Sequence, residues 1–174
     1  MSKPERERPH FVGPRSQARR YAALALYQWS LTGDDPMTIQ RHLLDDPDWL
    51  DAIAASLSET GEEETALKDG GRFNFDLKLL EELLRGVPAH LQEIDAHLKR
   101  YLDRPIGQVD PVELAILRLG AYEILFVDNI PDRVAINEAV ELTKLLGAYD
   151  GHKYVNGVLD KIARHKDQAA NETI

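Results

Sequence analysis

Three arginines stand at the head of the first long uninterrupted stretch of this 174-residue chain: Arg15, Arg19 and Arg20. Arg15 and Arg19 are one helical turn apart and share a face, with Arg20 beside them. A planar guanidinium forks onto a phosphate and also stacks on a base, and single-stranded RNA offers both targets. The other reading is a solvated helix face. Because the helix dipole mildly disfavours cations at this end, their placement there is informative. A second group lies in DGHKYVNGVLDKIA, residues 150–163. Asp150 has the side chain of a helix cap. Lys153 and Tyr154 follow in the first turn, where a cation beside an aromatic can bind a phosphate and stack a base. Packing of Tyr154 on a neighbouring helix is the alternative. Gly157, inside the same helix, costs about 1 kcal/mol relative to Ala, a cost that close helix contact would justify.

Other titratable groups carry less. His90 and His97 lie seven residues apart with Glu93 between them. Metal-binding helices pair histidines four apart, and seven residues rise about 10 Å, so a solvated face is the better reading. Glu62, Glu63 and Glu64 form a carboxylate run in a segment rich in Gly and Thr. Catalytic carboxylates need burial and fixed geometry to separate their pKa values, which such a segment does not provide. No GxGxxG, Walker-type loop, GxSxG or HExxH occurs, and there is no cysteine for a thiol nucleophile, a disulfide or a Cys-ligated metal. The expectation is a protein that is not an enzyme and carries no cofactor or metal.

The elements that position these residues are all helical. Ser16 is expected to cap a helix running through QARRYAALALYQWSL to Gly33, with Ala18, Ala22 and Ala25 as a narrow stripe for close helix approach. Leu24, Tyr27 and Leu31 line an adjacent face. Residues 34–57 read as one or two short helices broken at Pro47. Residues 58–72 read as an acidic mobile loop. Asn74 is a candidate cap for a helix carrying Leu77, Leu80, Leu83, Leu84 and Val87, interrupted by Pro88; the next helix carries Leu91, Ile94, Leu98, Tyr101 and Leu102. After a linker at 103–110, Asp110–Pro111 is a strong helix start. From Val112 to Val127 only Glu113, Arg118 and Glu123 are charged, which places that helix in the middle of the molecule. Pro131 starts another helix, which Gly147 is expected to cap. The last helix follows Asp150, with Val155, Val158, Leu159 and Ile162 on its apolar stripe.

No strand pattern or repeat occurs, so the fold class is all-α, with about seven helices. The expected organisation is a disordered basic tail at 1–14, an N-terminal helical subdomain at 15–102, a C-terminal one at 103–166 and a polar tail at 167–174. Apolar residues make up 43% of the chain and no run reaches the ~18 residues of a membrane span. A cytoplasmic protein with no membrane partner is expected. The formal net charge is −9, which taken alone argues against a nucleic-acid partner. The distribution reverses the argument. Residues 1–20 hold six cations and two anions, whereas residues 34–69 hold eleven anions and two cations. A local basic patch is compatible with an acidic whole.

Four segments, ARRYAALALYQWSLTG, VELAILRLGAYEILF, IPDRVAINEAVELTKLLG and DGHKYVNGVLDKIAR, resemble, in order and spacing, the first and the last three helices of the NusB family of transcription antitermination factors. The resemblance covers residues 15–33 and about 103–164, and is poor over 34–87. It implies two packed helical bundles and a function without catalysis. The implied partners are boxA-type single-stranded RNA of ribosomal RNA leaders, the ribosomal protein NusE, and the RNA polymerase antitermination complex. It assigns RNA contact to Arg15 and Arg19, with Arg20 just outside the motif; Ser16 and Gln17 stand where the family commonly has arginine. It carries the last-helix contacts onto Asp150 and Tyr154, and the NusE-facing surface onto Tyr27 and Glu113. Core packing for Tyr27 and first-turn dipole compensation for Glu113 stay open beside partner contact. With Lys153, these residues are expected to converge from two helix starts onto one groove that grips an unpaired strand. The alternative is a protein-interaction module, a possible homodimer with its RNA surface occluded. A family resemblance of this kind also occurs at the N-terminus of some RNA methyltransferases, but the chain ends too soon after the matching region for a cofactor-binding domain.

Overall fold

A computed structural model of the chain describes residues 13–46, 48, 75–146 and 150–171. The expectations for the basic tail at 1–12, the break at Pro47, the acidic loop 58–72, the Asn74 cap and the Gly147 cap lie outside the described residues. Among the described residues there are seven α-helices and no strand. They are α1 (Pro14–Thr32), α2 (Pro36–Asp45), α3 (Leu77–Ala89), α4 (Leu91–Tyr101), α5 (Pro111–Phe126), α6 (Asp132–Leu146) and α7 (Gly151–Asn171), with a 3-10 turn at Ile106–Gln108.

The local chemistry of the helix starts differs from expectation at α1. That helix begins at Pro14 behind Gly13 and has no side-chain cap. Ser16 is instead a buried first-turn residue whose hydroxyl donates to Glu138 Oε1 at 2.9 Å. Gly33 ends the helix in the left-handed region at φ 74°, a conformation that glycine adopts without strain. Asp35, Asp76 and Asp110 cap α2, α3 and α5 through their carboxylates. At α5 the Asp110 carboxylate accepts from the backbone N–H groups of both Val112 and Glu113. Pro88 does not separate the two middle helices; it sits in the last turn of α3, and the break falls at His90. The last helix runs on to Asn171, so it continues past the expected boundary at 166.

Helix α5 is the centre of the packing. It touches α1, α3, α4, α6 and α7, and α2 closes over α1 and α3. A single apolar cluster includes Ala22 and Leu26 of α1, Leu83 of α3, Ile116 and Leu119 of α5, Leu142 of α6 and Leu159 of α7. Gly120 lets α7 approach α5: a Cβ there would stand 2.7 Å from Leu159 Cδ1 and 3.4 Å from the Ala139 Cβ. Gly86 makes room in the same way for the Tyr122 ring. The Tyr122 ring also stacks on His90 and Phe126. None of the described helices is long and apolar enough to cross a membrane.

Candidate RNA-binding surface

The three arginines at the head of α1 have three different environments. Arg15 is exposed, with 61% of its side chain accessible, and lies 3.9 Å from Asp76. Arg20 is buried at 3% exposure. Arg19 is buried at 2% and is spent on carboxylates of two other helices. Its Nε donates to Glu123 Oε1 at 2.8 Å and its Nη2 to Glu123 Oε2 at 3.0 Å, and its Nη1 lies 3.7 Å from Glu138. A guanidinium without exposed surface cannot fork onto a phosphate, so neither Arg19 nor Arg20 contributes a surface cation here. Burial pushes the Glu123 carboxyl above its ordinary range, and the Arg19 hydrogen bonds oppose that rise. One signal in the sequence points to this pair. Charged residues in a helix that is apolar nearly all round need internal partners. Arg118 follows the same rule, with two 3.0 Å hydrogen bonds to Asp95.

The head of α7 forms a second cluster. Asp150 stands immediately before α7 and is exposed, as is Lys153. Tyr154 is half-buried and packs against the core, and its hydroxyl accepts the Asp103 backbone N–H at 3.2 Å. The Arg104 guanidinium lies over the Tyr154 ring, 4.8 Å from its centroid. Asp103 orients it, accepting from Arg104 Nε at 2.7 Å and Nη2 at 3.3 Å. These bonds hold the Asp103 carboxyl below the ordinary carboxylate range. Arg104 is 43% exposed, so a cation, an aromatic ring and a carboxylate share one surface. Sequence reasoning passed over Arg104 because it sits in a linker, where nothing but the fold brings it to Tyr154. Gly157 differs from expectation as well: it is exposed, with no atom within 4 Å of a Cβ built there, so helix contact does not account for it.

The two helix starts approach the central helix at different points along its length. The head of α1 lies beside Glu123, near the end of α5. The head of α7 lies beside Glu113, near the beginning of α5, whose carboxylate leaves no space for a Cβ at Gly151. The ten residues from Glu113 to Glu123 rise about 15 Å. The two helix heads therefore lie about 15 Å apart along the central helix, with Arg15 exposed at one and Asp150, Lys153, Tyr154 and Arg104 at the other. Helix α6 touches both: Glu138 bonds Ser16, and Thr143 borders Gly151.

The residues assigned to a protein partner are only partly accessible. Tyr27 is half-buried against the core in the second half of α1, and four residues on, Leu31 is 58% exposed. Glu113 is 7% exposed. Burial and the nearby Asp110 raise its carboxyl above the ordinary range, opposed by Arg104. His90 is stacked on Phe126 at 4.2 Å between centroids, and no metal-holding cluster occurs among the described residues.

The sequence pattern of the NusB family matches residues 16–164. Proteins described as transcription antitermination protein NusB are similar along most of their length. The one from Nitrosococcus oceani is 44% identical over 150 residues, covering 86% of this chain and 85% of the relative. That from Alkalilimnicola ehrlichii is 44% identical over 162 residues, covering 91% and 85%. Among solved structures, T. maritima NusB superposes with a TM-score of 0.63 at 30% identity, covering 87% of this chain and 91% of that one. A chain from a crystal structure of antitermination factors NusB and NusE in complex with double-stranded RNA superposes with a TM-score of 0.62 at 26% identity, covering 86% and 95%.

Proposed function

The chain belongs to the NusB family, and on that premise we propose that it is a transcription antitermination factor that binds boxA-type RNA together with the ribosomal protein NusE. It acts in the cytoplasm, within the RNA polymerase antitermination complex, by binding and not by catalysis. The observation that carries this reading is the surface at the head of α7, where Asp150, Lys153, Tyr154 and Arg104 are grouped within the matched region.

Physically, that surface combines what an unpaired strand needs. The Tyr154 ring and the guanidinium lying on it form a stacking platform for a base. Lys153 and Arg104 supply charge for phosphates, and the Asp150 carboxylate accepts from the donor groups of a base edge. Arg15 supplies a cation at the other end of α5. A stacked strand rises about 3.4 Å per nucleotide, so about four or five nucleotides cover the ~15 Å between the two clusters. The RNA is then read along a track and not in a pocket. Few exposed cations lie on that track, and Glu138 of α6, one-fifth exposed, borders it. Binding by the chain alone is accordingly weak, and NusE, docking by way of Tyr27 and the region of Glu113, supplies the remainder.

A gel shift of boxA RNA against the chain, alone and with NusE, tests the reading. A faint shift alone and a strong, sequence-dependent shift with NusE are expected. Equal retention of boxA and a scrambled RNA under both conditions overturns it. The homodimeric module with an occluded RNA surface is not adopted, since a similar chain occurs in complex with NusE and RNA.

A further inference from the structure

We propose that Arg19 is a positioning residue for the RNA surface: its buried guanidinium, shared between Glu123 of α5 and Glu138 of α6, holds the first turns of α1 in the pose that presents Arg15. The inference rests on the RNA-binding reading above and gives Arg19 a role that requires no contact with RNA.

The geometry is that of a clamp. Arg19 and Glu123 are 2% and 1% exposed and are joined through Nε and Nη2 to both carboxylate oxygens. The third nitrogen, Nη1, reaches 3.7 Å toward Glu138. Glu138 Oε1 in turn accepts from the Ser16 hydroxyl at 2.9 Å, one turn back along α1. Two residues of α1, one of α5 and one of α6 are thus tied in one polar cluster. Arg15, one turn before Arg19, rides on the same face.

Apolar packing gives this end of α1 little to hold its rotation. Tyr21 packs edge-on against Phe75, at 5.3 Å between centroids. In the first two turns the buried side chains other than the two arginines are Ser16 and Ala18; Tyr21, Ala22, Ala23 and Leu24 follow in the third. Small apolar surfaces attract without direction and tolerate rotation. A bidentate guanidinium–carboxylate pair fixes distance and orientation together. An apolar replacement of a buried ion pair is often as stable, so stability alone does not account for keeping this one.

Four chains separate positioning from contact: the native protein, Glu123→Gln, Arg19→Met and the paired Arg19→Met/Glu123→Leu. Each is checked for a cooperative melt, and boxA affinity with NusE is measured well below that melt. Hydrogen exchange of the amides at 16–22 is followed in parallel. Glu123 is buried and negative, so if Arg19 grips RNA directly, removing that charge frees the guanidinium and strengthens binding or leaves it unchanged. Under positioning, Glu123→Gln weakens binding roughly tenfold, the scale of residues that act through others, and loses protection at 16–22. The paired apolar variant, which refills the space without fixing orientation, recovers the melt but neither the protection at 16–22 nor the binding. Equal or tighter binding by Glu123→Gln overturns the inference. So does a folded paired variant that binds like the native protein, or one that loses binding while keeping native protection at 16–22, which also decides the matter should Glu123→Gln not fold. If the native chain with NusE does not bind boxA RNA, the proposed function fails; the clamp is then judged by exchange alone, and unchanged protection at 16–22 in Glu123→Gln overturns it.

Discussion

Replacing Arg15 with Gln removes an exposed guanidinium without disturbing the core. Its ion pair with Asp76 is long, at 3.9 Å, and exposed, so its loss costs at most about 1 kcal/mol of stability. The effect on RNA binding is larger and has a diagnostic form. Each phosphate neutralised on a single strand contributes about −0.7 to the slope of log affinity against log salt. Three exposed cations, Arg15, Arg104 and Lys153, lie on the track between the two helix starts. Their joint slope is about −2.1, so a fourfold rise in salt lowers affinity roughly eighteenfold; without Arg15 the slope is about −1.4 and the same rise lowers it roughly sevenfold. Whatever the basic segment before residue 13 adds, the difference of about 0.7 between the two proteins is preserved. Fluorescence anisotropy of labelled boxA RNA across a salt series measures it. The internal control is Arg19→Gln added to the Arg15→Gln protein: a buried, paired guanidinium releases no counterion of its own, so once Arg15 is gone the slope stays at about −1.4. An unchanged slope in Arg15→Gln, or a further flattening when Arg19→Gln is added to it, refutes the assignment of surface charge.

Four further outcomes follow from particular contacts. Tyr154→Leu lowers RNA affinity by about 1–3 kcal/mol through loss of the stacking ring, whereas Tyr154→Phe, which keeps the ring and loses only the hydroxyl's contacts with Asp103, stays near native in the same anisotropy assay. Gly86→Ala destabilises the fold by about 1–3 kcal/mol in chemical denaturation, because its methyl would overlap the Tyr122 ring, which is held between stacked neighbours. Gly157→Ala raises stability by about 1 kcal/mol in the same measurement, since the new methyl points into open space. Glu113→Gln is more stable than the native chain at neutral pH, with a gain that shrinks on acidification. Burial lifts the Glu113 carboxyl above its ordinary 4.5, so within that window the folded state binds more protons than the unfolded state. The native contribution of Glu113 therefore improves as pH falls through the raised value, and denaturation midpoints at neutral and acidic pH that differ by a constant amount would exclude it.

Much of the architecture was legible in the order of the residues because it depends on local chemistry. The Asp110–Pro111 start of α5, the Gly33 stop of α1 and the central placement of α5 follow from capping groups and from the near absence of charge between Val112 and Val127. Those properties belong to single helices and are visible at helical spacing. The family, too, was readable from four segments in their order. The candidate site was legible only in part. Arg15, Asp150, Lys153 and Tyr154 lie at the surface as expected, or half at the surface in the case of Tyr154.

Tertiary structure alone decided which arginines face solvent. Arg15 and Arg19 share a helix face by spacing, yet one is exposed and the other is enclosed by Glu123 and Glu138, which lie 104 and 119 residues further along the chain. Helical periodicity places a side chain on a face but does not say where along the helix a neighbour covers that face. The same reason hid Arg104, which gains meaning only when the linker before α5 meets the head of α7. It also hid the distance between the heads of α1 and α7, because they meet α5 at different points along its length and no property of either segment encodes that span.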